Sequence, residues 1–167
     1  MTLPQWIVLA IALLRGLELA HAHRNARRLL AEGGQAHGDR HYPVIVGLHV
    51  AWLIALWWAG RRISEPDWLL FALFVLLEAA RLWVVATLGR FWTTRVISVP
   101  DAPLVRKGPF RWMRHPNYAV VALQLPVLLF AYAAPGLAVL FGAANILILA
   151  HRIRVEEDAL RPRRSLA

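Results

Sequence analysis

Hydrophobic positions in this chain run together rather than alternate with polar ones. Five stretches, Leu3–Ala20, Pro43–Gly60, Asp67–Leu88, Asn117–Ala134 and Gly136–Ile153, are largely apolar, and most polar residues gather between them. A helix that crosses a bilayer needs about 20 mostly apolar residues, because each residue advances the axis by only about 1.5 Å. The pattern therefore predicts an all-α polytopic membrane protein of about five helices, closing on a C-terminal helical hairpin. Pro126 falls inside the fourth run, where it removes a backbone donor and crowds the preceding turn, so a bend or break is expected there. Several runs lie near the short limit. Fewer full spans, with the last two runs as a shallow hairpin, therefore stay open.

The polar connections differ in kind. Segment 21–42 mixes His21, His23, Arg24, Arg27 and Arg28 with Gly33, Gly34 and Gly38, which predicts a helical extension of the first run and then a loop re-entering at Tyr42-Pro43. Segment 61–66 is short and turn-like. Segment 89–116 is the longest connection and holds Gly89, Pro100, Pro103, Gly108 and Pro109. A long structured loop in a small protein is usually functional. The Arg-rich tail after Leu160 is expected to fray. No internal repeat or low-complexity segment interrupts what reads as a single domain over 1–167.

Composition agrees with a solvent other than water. The chain has 167 residues, 59% of them hydrophobic, with eight Trp, against about 45–50% apolar residues in soluble domains. Of 19 Lys and Arg, four lie in 21–42, six in 89–116 and five from Arg152 onward, while Arg61 and Arg62 occupy another loop and Arg15 and Arg81 fall inside apolar runs. Basic loops stay cytoplasmic, so the N-terminus is expected outside and the C-terminus inside, in a bacterial plasma membrane. The net charge of +9 suits anionic inner-leaflet lipid and is not assigned to nucleic acid. The first run has no basic residue before Trp6 and no small-residue cleavage site, so it is not expected to be a removable signal. The absence of cysteine excludes disulfides, thiolate nucleophiles and Cys-ligated metals. His37 and His41 stand four apart, but Gly38 between them argues against a shared helix face, and there is no HExxH; no metal is predicted.

Candidate chemistry gathers in two places. Arg15 with Glu18, and Glu78 with Arg81, are spaced three apart inside apolar runs, so each pair can meet on one helix face. They admit two readings: mutual neutralisation within a bundle, or the lining of a polar pocket. The second place opens with Gly108-Pro109-Phe110-Arg111-Trp112-Met113-Arg114-His115-Pro116-Asn117-Tyr118. Pro116 suits the first turn of a helix, which would aim free N–H groups and a positive dipole end at Arg114 and His115. That describes an anion site; an interfacial anchor with Trp112 and Tyr118 as belt aromatics is the alternative. In the last run Asn145, Arg152 and Glu156 fall within about 40° on a helical wheel, giving one polar stripe toward the C-terminal end. Together the two suggest a cleft in which a cation and carboxylates face a zwitterionic ligand.

These residues resemble the signature of the isoprenylcysteine carboxyl methyltransferase family. Gly108–Arg111 and Arg114–Tyr118, then a hairpin, then Arg152, Glu156, Glu157 and Leu160, stand in that family's order. The resemblance divides the chain into N-terminal helices (1–88) and a catalytic part with cofactor motifs (89–167). In the N-terminal half, Arg24-Asn25, Leu29-Leu30, His41-Tyr42-Pro43 and Leu48-His49 are similar to a bacterial branch associated with type III polyketide synthases. Leu88–Thr93 and Leu104–Pro109 fit that branch too. Members of that branch resemble O-methyltransferases for alkylpyrones or alkylresorcinols. The family's enzymes for prenylated proteins usually continue past the Glu-Glu-x-x-Leu motif with a glycine and spaced tyrosines; this chain ends at Ala167, which favours a small lipid acceptor.

The resemblance implies S-adenosylmethionine as cofactor, bound on the cytoplasmic side, with a lipophilic carboxyl or hydroxyl acceptor arriving from the bilayer. On the cofactor side it places Val105, Gly108, Arg114, His115, Tyr118, Glu156 and Glu157. On the acceptor side it places Asn145, Arg152, His49 and Trp92, with Arg152 and Glu156 as the catalytic pair. An ionised carboxylate needs no base, whereas a phenolic hydroxyl with a pKa near 10 does, and the sequence singles out none of the histidines for that task. A phosphatidylethanolamine N-methyltransferase and a non-enzymatic membrane protein remain the alternatives.

Overall fold

The computed structural model describes residues 1–37, 42–100, 102 and 104–164, with side chains to Arg161. Expectations attached to Gly38, His41, Pro103 and the last residues to Ala167 lie outside the described residues. Five helices carry the fold: α1 Leu3–Ala31, α2 Tyr42–Gly60, α3 Trp68–Leu88, α4 Pro116–Ala131 and α5 Pro135–Arg164. Strands β1 Gln35–His37 and β2 Val96–Ser98 form the described residues' one sheet. The chain is an all-α polytopic membrane protein.

Local chemistry explains the boundaries. At the start of α1 the Thr2 hydroxyl accepts from the Gln5 N–H while the Gln5 side chain accepts from the Thr2 N–H, a reciprocal cap that satisfies two otherwise orphaned donors. The helix runs on through the polar segment to Ala31, as its helical extension predicted, and ends at Gly33 in the left-handed region at φ +86°. Asp67 caps α3 by accepting from the Leu69 and Leu70 N–H groups at 3.0 Å each. Pro116 opens α4, where its missing donor costs nothing. α5 outlasts its apolar run and carries the polar stripe past the membrane stretch.

Among the described residues four helices are long and apolar enough to cross a membrane; α4, at 16 residues, is shorter. Its length of about 24 Å falls short of a hydrocarbon core of about 30 Å, which sets the fourth run apart from the other four. The expected break at Pro126 does not occur, since α4 is continuous through it. A Cβ on Gly142 would lie 3.5 Å from the Pro126 ring, so the proline sits against a small residue of α5, and Trp52 Nε1 donates to the neighbouring Leu125 carbonyl at 3.0 Å.

All five helices run between the same two ends of the bundle. At one end Thr2 Oγ1 donates to the Gly60 carbonyl, Tyr132 Oη to the Pro4 carbonyl and the Asp67 N–H to the Ala131 carbonyl. The buried core of Trp52, Leu56, Leu128, Leu129 and Tyr132 joins α2 to α4 there. At the other end, the buried Asn25 amide donates to the Gly89 and Trp92 carbonyls, tying the extension of α1 to the long loop. The same loop pairs antiparallel with β1, Gln35 opposite Ser98 and His37 opposite Val96. That pairing was not foreseen in segments read as loops. Gly34 makes it accessible: a Cβ there would stand 2.6 Å from the Leu29 carbonyl oxygen.

Candidate functional site

The site is built where the long loop folds over the ends of α4 and α5. Gly108 begins a single 3-10 turn, Gly108–Arg111, at φ +56°, with a would-be Cβ 2.7 Å from Thr87 Oγ1. Glycine is demanded twice there, by backbone conformation and by lack of room. The turn presses the loop onto α3 and delivers Arg114 and His115 to the start of α4.

At the centre the Arg152 guanidinium donates from Nε to Tyr118 Oη at 2.9 Å and from Nη2 to the Thr94 carbonyl at 2.6 Å. Tyr118 Oη in turn donates to the Glu156 carboxylate. Arg152 and Glu156 therefore meet through a phenol, rather than only as neighbours along a helix. The Asn145 amide, a turn and more deeper, donates to the Val121 carbonyl at 3.0 Å and is fully buried. The stripe drawn on the helical wheel thus faces α4 along its length.

Around this centre lies a looser shell. The His115 ring stacks on Tyr118 at 5.4 Å between centroids. Its Nε2 stands 3.4 Å from Glu157 Oε1, and its Nδ1 3.7 Å from Glu156 Oε1. Arg114, largely exposed, reaches Glu157 at 3.7 Å. The basic lead and the acidic pair thus close on one another, and the Tyr118 and Ala119 N–H groups bond back to the His115 carbonyl, so the helix start is a charge-balanced cleft rather than a bare anion site. The Glu156 carboxylate raises the pKa of His115 above its ordinary value against the opposing cost of burial, with Glu157 adding to the rise.

Two cavities meet at this centre. The outer one, about 770 Å³, is lined by the loop, by Val105, Arg114 and His115, and by Glu156. The inner one, about 240 Å³, penetrates the bundle between α1, α2, α4 and α5 and is largely apolar, with His49 and Asn145 on its wall. Trp92, Thr93, Asn117, Tyr118 and Arg152 border both. Three buried polar atoms on or beside that shared wall lack a hydrogen-bond partner: Trp92 Nε1, His115 Nδ1 and Asn117 Oδ1. Buried polar groups are ordinarily satisfied, so two ring nitrogens and an amide oxygen left waiting beside Glu156 fit a ligand bearing both an ammonium or hydroxyls and a carboxylate.

Of the residues singled out from sequence, Val105, Arg114, His115, Tyr118, Arg152 and Glu156 come together around the outer cavity, while His49 and Asn145 stand on the inner one. Trp92, expected beside the acceptor, borders both. Gly108 supports the loop from behind, against Thr87, and Glu157 braces His115. Sequence reasoning missed Asn117, although it lies inside the Arg114–Tyr118 motif, and it could not see the Thr94 carbonyl. Of the two spaced pairs, Arg15 meets Glu18 within α1, whereas Glu78 and Arg81 each turn to α1; the cluster both neutralises its charges and lines a cavity. Arg15 bonds Glu18 and Glu78, Arg81 bonds Glu18, and Gln124 donates to Glu78, while Arg15, Glu18 and Arg81 also line the inner cavity.

Comparison with known proteins places this architecture. An uncharacterized protein of Bacillus subtilis (strain 168), YpbQ, is 32% identical, over 93% of this chain and 96% of its own length. An uncharacterized protein of Haemophilus influenzae is 25% identical over 90% of each chain. No solved structure matches significantly. The model of the isoprenylcysteine carboxyl methyltransferase (ICMT) family matches residues 68–162, which takes in α3, the whole loop and both motifs, and the chain belongs to that family of membrane methyltransferases.

Proposed function

We propose that the protein is an S-adenosylmethionine-dependent O-methyltransferase. In this reading the outer cavity holds the cofactor and the inner one takes the polar head of a lipophilic acceptor from the bilayer. The observation that carries it is the shared wall: a mixed outer cavity and a largely apolar inner one share Trp92, Thr93, Asn117, Tyr118 and Arg152. When bound, S-adenosylmethionine supplies a methyl group already activated on a sulfonium. What the chain must add is alignment of the two partners and exclusion of water.

The residues suit those tasks. His115 Nδ1 can donate to a carboxylate, and Glu156 and Asn117 Oδ1 can accept from an ammonium or from ribose hydroxyls. Arg152, held by Tyr118 and the Thr94 carbonyl, presents its remaining N–H groups to an acceptor oxygen as charge-assisted donors. At about 240 Å³ the inner cavity admits a small ring or head group and leaves a long tail in lipid. Val46 and Val50 of α2 line it and are also exposed, marking a lateral way in. This favours a small amphiphile of the alkylpyrone or alkylresorcinol kind over a prenylated protein terminus.

Calorimetric titration of the purified protein tests the cofactor. S-adenosylmethionine should bind, S-adenosylhomocysteine should compete, and His115→Ala and Tyr118→Ala should both weaken the binding. Unaltered titrations in both variants would move the cofactor elsewhere. The reading also requires the loop end of the bundle to face the cytoplasm. With no native cysteine, Ser64→Cys should react with an impermeant maleimide from outside and Lys107→Cys should not; the reverse would put the site on the wrong side for its cofactor.

A further inference from the structure

The family resemblance places His49 on the acceptor side without giving it a chemical task. The residue sits on α2 and lines the inner cavity, which Asn117, Tyr118 and Arg152 of the shared wall line as well. Its Nδ1 lies 2.9 Å from the Ile45 carbonyl oxygen. A carbonyl can only accept, so Nδ1 carries the proton, and in the neutral imidazole the lone pair belongs to Nε2. The charged groups acting on the ring are Arg15 of α1, Arg81 of α3 and Arg152 of α5, with Glu18 of α1 also on the cavity wall. Tyr42 of α2 and Tyr118 of α4 complete the titratable lining. The carboxylate of Glu18 is already engaged by both Arg15 and Arg81. His49 Nε2 is the proton acceptor this cavity offers among its described residues.

A protein handling an ionised carboxylate has no need of such a group. A hydroxyl that still bears its proton does, because phenols keep theirs up to a pH near 10, and the oxygen must shed it as it attacks. We propose that His49 is the general base of the reaction, taking the proton of the lipophilic hydroxyl acceptor inferred above. This rests on the methyltransferase reading above. As the acceptor oxygen forms its bond to the methyl carbon, the carbon–sulfur bond breaks with its electron pair staying on sulfur, which becomes a neutral thioether. The hydroxyl proton passes to Nε2. Arg152 faces the same oxygen and favours its developing negative charge. The proton leaves the imidazolium to water when product departs.

Two measurements on the full-length protein in nanodiscs test this. In nitrogen-labelled protein, wild type minus His49→Gln should isolate a His49 ring protonated at Nδ1 and bare at Nε2. The opposite tautomer would overturn the proposal without any assay of turnover. The second measurement uses two acceptors of one shape, para-dodecylphenol and para-dodecylbenzoic acid. His49→Gln should slow methylation of the phenol by about 10²–10⁴-fold, the usual worth of a positioned base, and slow that of the benzoate far less. The residual phenol rate should climb about tenfold per pH unit toward the phenol's own pKa, and added imidazole should restore part of the rate in His49→Ala. Equal losses on both acceptors, or a loss independent of pH, would reduce His49 to a packing residue. If wild type binds S-adenosylmethionine yet leaves the phenol untouched, the acceptor class is wrong. If it binds no S-adenosylmethionine at all, the failure lies in the methyltransferase reading instead.

Discussion

Two clusters of arginine and glutamate sit within the same bundle and behave differently. In the first, Arg15, Glu18, Glu78 and Arg81 are joined by contacts at hydrogen-bonding distance, Arg15 to Glu18 at 2.7 Å and Arg81 to Glu18 at 3.0 Å, with Gln124 closing on Glu78 at 2.8 Å. In the second, Arg152, Tyr118 and Glu156 are tight, but the shell outside them is slack: His115 and Arg114 face Glu156 and Glu157 across 3.4 to 3.7 Å. His115 Nε2 and Glu157 make one long hydrogen bond, and the two 3.7 Å contacts hold charge in place without forming one. The first cluster has made most of its bonds among its own members and with Gln124, with Glu78 Oε1 left over. The second retains unbonded atoms at the wall between two cavities. Charge inside a membrane protein thus marks a site less by its presence than by how much of its bonding capacity is left over.

The largest expected effect separates the clusters by stability. Removing one partner of a buried ion pair leaves the other uncompensated and costs about 3–5 kcal/mol. Glu18→Ala strands Arg81 and leaves Arg15 with Glu78 alone, so it should lower thermal stability in detergent sharply and reduce the folded yield. Glu156→Gln, at the slack cluster, should leave the melting temperature close to wild type. If both variants melt alike, the contrast between a closed and an open cluster does not hold.

A smaller effect divides labour within the second cluster. Arg152→Ala should cut turnover by about 10²–10³-fold, the usual loss when one donor to a developing oxyanion is deleted, while S-adenosylmethionine affinity stays nearly unchanged. Arg152→Lys should recover little, because an ammonium cannot reach Tyr118 Oη and the Thr94 carbonyl together with a third partner as a guanidinium fork does. Glu156→Gln should show the reverse, with affinity for the cofactor weakened by about tenfold, or ~1.4 kcal/mol, and turnover at saturation largely kept. The two side chains meet through Tyr118 Oη, so Tyr118→Phe should blur the distinction by loosening both. Near-wild-type turnover in Arg152→Ala would leave Arg152 a structural tether.

What sequence could foresee follows from the range of the forces involved. The helices were visible because apolar runs and local start signals such as Pro116 act within a few residues. The stripe of Asn145, Arg152 and Glu156 was visible because helical geometry is regular. The cross-links were not. Arg15 selects Glu78 and Arg152 selects the Thr94 carbonyl across 63 and 58 residues of chain, and nothing local encodes either choice. Three-residue strands such as Gln35–His37 are too short for an alternating pattern to register. That α4 stays continuous through Pro126 has a related cause, since its fit against Gly142 on α5 depends on a neighbour that local rules do not consult. Asn117 was passed over because its importance lies in an amide oxygen that finds no partner, which is a property of the packed structure alone.

The smallest expected effect concerns His115 and tells whether the slack shell works as a charge-balanced clasp. Glu156, and then Glu157, favour the imidazolium, and the pKa of His115 is raised despite burial. For a group whose pKa is higher folded than unfolded, the protonated form is bound more tightly by the native state. Its contribution to stability is therefore full below the unfolded value of about 6.5. It is lost as pH rises from there through the raised value. Cofactor affinity should follow the same direction, because the imidazolium donates from Nδ1 whereas the neutral ring need not. Melting temperature and S-adenosylmethionine affinity should both decline modestly from slightly acid to slightly alkaline pH in wild type. In His115→Gln both curves should flatten over that window, with Glu18→Gln as a control that keeps the wild-type slope on its lower baseline. A slope that persists in His115→Gln would assign the titration to another group and leave the ring with only its stacking on Tyr118.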